Sequence, residues 1–148
     1  MDSMRTGPAP RVIGALVAAL AMAACGEGGP SLVDSAPPDL GGTAWVMTSS
    51  SGNPAIIAIE GTEVLITFED GQVSVQAGCN GMGGAYRQND DVLEVEPMVS
   101  TMMACDQPLM DRDAALSALL TSAPTVSGDA DTLVIAGGGT TVELAARS

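Results

Sequence analysis

The run from Gly78 to Cys105, GCNGMGGAYRQNDDVLEVEPMVSTMMAC, constrains this chain more than any other stretch. It begins and ends at the only two cysteines that follow residue 25. Between them lie a glycine-rich segment, a strand-like run from Val92 to Glu96, and the compact piece Met98 to Ala104. Four glycines fall between Gly78 and Tyr86. Glycine is needed where φ is positive or where two backbones approach closely, so the segment reads as a bulged, tightly bent strand around Cys79. A phosphate-cradling loop is excluded, because no lysine follows, no helix opens and the surroundings are acidic.

The N-terminus explains why only two cysteines matter to the fold. Arg5 and Arg11 precede an uninterrupted small and apolar run, Val12 to Ala23. Such a run is well short of the roughly 20 residues that a membrane-spanning helix requires, and it reads as an export signal. Leu20-Ala21-Met22-Ala23-Ala24-Cys25 resembles the lipobox of bacterial lipoproteins, with Met22 where leucine is usual. That resemblance implies a signal over residues 1–24, a lipidated (palmitate-bearing) Cys25 and a membrane partner reached through this anchor. The alternative is an ordinary signal cut after Ala21-Met22-Ala23. With Cys25 given to lipid, an even pair remains, and in an exported protein Cys79 and Cys105 are expected to form a disulfide. Metal ligation and a redox pair are the other options, and the absence of histidine and of C-x-x-C spacing argues against both.

Residues 25–40 are rich in Gly, Pro, Ser and acids, without periodicity, and read as a flexible tether. The expected domain is 41–148. From Cys25 onward there is no lysine, and three arginines face 17 acids, for a net charge of −14. A surface of that sign repels phosphate backbones, which excludes nucleic acid as a partner. Gly26, rather than the aspartate associated with inner-membrane retention, favours the outer membrane where a cell has one.

Within the domain, Thr43–Thr48 reads as the first strand and Ala55–Ile59 as a second strand or edge segment. Glu63–Glu69 alternates at period two, with Val64, Ile66 and Phe68 facing inward. Asp70-Gly71 signals a hairpin, beyond which Val73 and Val75 continue the inward face. Asn89-Asp90-Asp91 is a turn into Val92–Glu96, where Leu93 and Val95 face in, and Pro97 ends that strand. Met98, Met102 and Met103 read as adaptable core filler around Cys105 rather than as a metal or heme site. The one helix is Pro108–Leu120, started by Asp106 or Gln107 with Asp111 and Asp113 at its positive end, and striped by Leu109, Leu116, Leu119 and Leu120. Strands Thr132–Ala136 and Thr140–Leu144 pair across Gly137-Gly138-Gly139. Six or seven strands and one helix give a mainly β, antiparallel, barrel-like α+β single domain with the helix packed on it.

Taken together, Gly42-Thr43-x-Trp45, Phe68-x-Asp70-Gly71, Gly78-Cys79-Asn80 with Gly84-x-Tyr86, and Thr101-x-Met103-x-Cys105 resemble the META domain family over about residues 41–146. That family includes a heat-inducible bacterial lipoprotein and a protozoan protein. The chain departs from it in having Val75-Gln76-Ala77 where a glycine is usual, and Ala114-Ala115 where the helix often carries an aromatic residue. The resemblance implies a barrel-like domain on an envelope lipoprotein associated with stress or antibiotic tolerance, with no established enzymatic activity. It also implies that Trp45, Gly78, Asn80, Gly84, Tyr86 and Thr101 are structural motif residues.

The inventory agrees with a non-enzyme. Without histidine or lysine, the usual nucleophile–base pairs cannot be assembled. Asp90-Asp91 and Asp129-x-Asp131 fit no calcium loop and read as surface turns; no metal site and no cofactor is expected. Two functions remain. One is an envelope lipoprotein working through protein contacts; the other is a carrier holding a lipid or small hydrophobic ligand inside the barrel.

Overall fold

The structure, a computed structural model, describes residues 36–148. Cys25 and the signal segment lie outside the described residues. In chain order the elements are β1 (Thr43–Ser51), β2 (Leu65–Glu69), β3 (Gln72–Gln76), β4 (Gly81–Asn89), β5 (Val92–Val95), β6 (Val99–Ser100), α1 (Gln107–Leu120), β7 (Thr125–Gly128), β8 (Thr132–Gly137) and β9 (Thr140–Ala146). The strands run β3-β2-β1-β9-β8-β7-β5-β4 and return to β3, closing an antiparallel barrel of eight. Closure removes the sheet edges that would otherwise template pairing with other chains. β6 adds to β4 just past β5.

Turn chemistry fixes the register. Asp70 and Gly71 both have positive φ (51° and 74°), as do Gly138 and Gly139 (58° and 80°). These are the conformations that a two-residue hairpin with the right strand twist requires, and they set Glu69 opposite Gln72 and Gly137 opposite Thr140. From there alternation carries Val64, Ile66, Phe68, Val73 and Val75 inward, each at most 2% exposed.

Three elements differ from expectation. Ala55–Ile59 is not a strand: Asn53, Pro54 and a turn from Ile56 N–H to the Asn53 carbonyl break it, and only Ile56 is buried. β7 was not foreseen, because Thr125–Gly128 is short and contains a single buried apolar residue, Val126. With it and β6 the strand count rises to nine. The domain also takes in residues just before its expected start. Leu40 is fully buried, its N–H donating to the Gln88 side chain, which in turn donates to the Pro38 carbonyl.

α1 covers one end of the barrel. Its side chains reach the 52–64 loop, the end of β3 and the turn between β8 and β9. Leu116, Leu119 and Leu120 join a continuous core with Trp45, Phe68, Leu93 and Leu133. Most side chains of that core are 0–2% exposed. A ligand-sized void would leave its lining accessible to a water-sized probe, so among the described residues the barrel interior is filled.

Candidate functional site

The two ends of the cysteine-bounded run meet beneath the start of α1. Gly78, Cys79 and Asn80 form the corner between β3 and β4, and Cys105 precedes Asp106, the residue that opens the helix. A disulfide joins Cys79 to Cys105, with their Cα atoms 5.9 Å apart. Asn80 repeats the fastening with hydrogen bonds. Its Oδ1 accepts from Met103 N–H (2.7 Å) and from the Thr101 hydroxyl (3.0 Å). Its backbone N–H and its Nδ2 both donate to Asp113 Oδ2, at 2.8 and 3.2 Å. Thr101 Oγ1 also accepts from Gly81 N–H (3.1 Å). Loop 101–105 is thus held to both the barrel corner and the helix.

Behind this corner lies Arg112, fully buried. A buried guanidinium is tolerated only where its donors are met, and four hydrogen bonds engage all three of its nitrogens. Nε and Nη2 donate to the Ala77 carbonyl, Nη1 to the Ile57 carbonyl and Nη2 to the Thr62 hydroxyl, at 2.5 to 3.1 Å. Burial pulls the Arg112 pKa down, and the neighbouring Asp113 carboxylate partly offsets this. Asp113 is 5% exposed and its Oδ1 has no partner. Gly78 is required here twice over. Its φ is 93°, and a Cβ would sit 2.8 Å from Arg112 Nη2.

The expected helix-end role of Asp111 and Asp113 needs correction. The first turn of α1 carries no acid, Asp106 makes no capping side-chain bond, and Asp113 serves Asn80 instead. The burial of Arg112 and Asp113 was missed, although their spacing carried a signal. Arg112 and Asp113 stand three and four residues after Leu109 and before Leu116, which places them on the inward stripe.

The other motif residues lie within the barrel and along its strands. Trp45 is in the core, its indole N–H on the Thr43 hydroxyl at 2.7 Å. Gly84 lets the chain around Pro97 cross close by: a Cβ there would lie 3.1 Å from the Glu96 carbonyl oxygen. Tyr86 packs edge-on against Phe68, ring centroids 4.9 Å apart. Burial, then Asp39, raises its pKa above 10.0. Asp129 Oδ1 accepts from the N–H groups of Asp131 and Thr132, an ordinary turn. Among the described residues no group of three or more His, Cys, Asp or Glu converges.

The methionines overturn their expected role. Met98 packs against the core, but Met102 and Met103 are 98% and 62% exposed. The inward side of their loop is taken by Asn80, Thr101 and the disulfide, so the thioethers are left outside. Val99 and Met110 are exposed too, and Met102, Met103, Met110 and Asn80 line one open groove of about 610 Å³.

This geometry matches a known family. The META domain model fits residues 38–148. A protein from Burkholderia xenovorans solved by NMR has the same fold, with 22% identity and a TM-score of 0.62 over 74% of this chain and 84% of that one. A DUF4847 family protein from Bacteroides vulgatus is also similar, at 16% identity and a TM-score of 0.54 over 72% of this chain and 93% of the other. No protein with a curated description matches. With its barrel, its helix and its cysteine-bounded corner accounted for, the chain belongs to the META domain family.

Proposed function

We propose that this protein is a non-enzymatic bacterial envelope lipoprotein. It is held to a membrane, the outer one where present, by lipid on Cys25, and it works through contacts with other envelope proteins under stress or antibiotic challenge. The observation that carries the reading is the apolar surface of Met102, Met103 and Met110, which line one groove. Apolar side chains held outward on a loop tied by a disulfide and by Asn80 are characteristic of interaction surfaces. The filled interior supports this reading over a carrier, because a held ligand needs space that the core residues occupy.

Site-specific photo-crosslinking in intact cells tests it. A crosslinker at Met102 should yield one defined envelope adduct, and the same group at the exposed Ser74 of β3 should not. Equal adducts from both positions, or none from Met102, would remove the support. The anchor is tested separately: radiolabelled palmitate should be incorporated into the wild-type chain and not into Cys25→Ser.

A further inference from the structure

Among the described residues five large apolar side chains are exposed, and three of them, Met102, Met103 and Met110, line the same groove. Hydrophobic contact alone would be served as well by leucine or valine, so the shared feature is sulfur. Thioethers are soft donors that select copper(I) over harder ions, and methionine's unbranched, flexible side chain lets separate residues converge on one ion. The backbone beneath is already fixed: Met103 N–H is bonded to Asn80, Cys105 is in the disulfide, and Met110 rides on α1.

Among the described residues the competing donors are missing. The chain has no histidine, and Cys79 and Cys105 are oxidised. Nor do the described residues offer a carboxylate cluster for a hard cation. The long-range field is favourable to any cation. Of the three arginines among the described residues, Arg112 is buried, while Arg87 pairs with Glu94 and Arg147 with Glu63. Asp106 and Asp111 lie exposed beside Met110.

We propose that Met102, Met103 and Met110 form a thioether site for a soft monovalent cation, copper(I). Binding requires no electron transfer; the sulfurs donate lone pairs to the ion as it arrives. The site is a property of the surface itself and stands whether or not a protein partner uses the same face.

The test is a silver(I) titration, as a redox-inert probe, of the full mature chain carrying Cys25→Ser, followed by methionine methyl NMR. The methyl signals of Met102, Met103 and Met110 should move and saturate at a single equivalent, and those of Met47, Met82 and Met98 should stay. Copper(I) competition against a chelator should then give an affinity that the triple variant M102L/M103L/M110L weakens by about tenfold or more. Denaturation followed through Trp45 should be unchanged in that variant. Absence of saturable shifts, equal binding by the triple variant, or equally tight binding of magnesium would overturn the proposal.

Discussion

Arg112 shows how much one side chain can determine. It replaces water for three oxygens at the end of the barrel, and a lysine could not span them, because its point-like ammonium lacks the planar fork. Arg112→Lys should lower stability by about 2–4 kcal/mol, measured by urea unfolding through the fluorescence of Trp45, the sole tryptophan. A loss under about 0.5 kcal/mol would mean the buried oxygens have other partners. Asn80→Ala should cost roughly 2–3 kcal/mol, since it leaves Met103 N–H and Thr101 without their acceptor and takes one donor from buried Asp113. Tyr86 offers an independent check, as the only tyrosine. Its phenol should ionise with a midpoint above 10.0, read from tyrosinate absorbance. Because its folded pKa is raised, its contribution to stability is complete below the unfolded pKa and is lost as pH climbs through the folded one. A midpoint at or below the free value would place the ring in water.

At the scale of elements, the disulfide and Asn80 divide the work of holding loop 101–105. Breaking Cys79–Cys105 with a double serine variant should cost about 3 kcal/mol on the chain-entropy model. The Asn80 bonds should nevertheless keep the Met103 amide slow in hydrogen exchange; full exchange of that amide in the folded variant would show that the bonds depend on the covalent link. This layout was partly legible in advance. Period-two alternation from Val64 to Val75 and the Asp70-Gly71 turn specify β2, β3 and their register, because one buried face and one turn type leave no other choice. The helix and the two hairpin strands at the C-terminus were equally clear. β7 was not, since four residues with one apolar side chain give no period. The methionines misled for a physical reason: apolar content predicts burial only when space inside remains, and Asn80 and the disulfide had taken it. Arg112 and Asp113 stood on the helix's inward stripe, but charge argued for the surface until their acceptors and donors were in view.

At the scale of the whole fold, eight closed strands and a helix across one end bury a single continuous core and, among the described residues, leave no lumen. Interior strand positions carry Trp45, Phe68, Ile66, Leu93, Leu133 and Leu144, all at most 1% exposed. The proposed contacts therefore use the outside of the fold, where the fastened corner between β3, β4 and α1 holds an apolar surface in place. That claim is most directly tested by native mass spectrometry of the mature chain carrying Cys25→Ser, purified from a periplasm without detergent. The expected result is a mass with no lipophilic adduct, two hydrogens lighter than the reduced chain, as the Cys79–Cys105 bond requires. A lipid or other hydrophobic molecule that dissociates on activation, in stoichiometric amount, would contradict it and make the barrel a carrier.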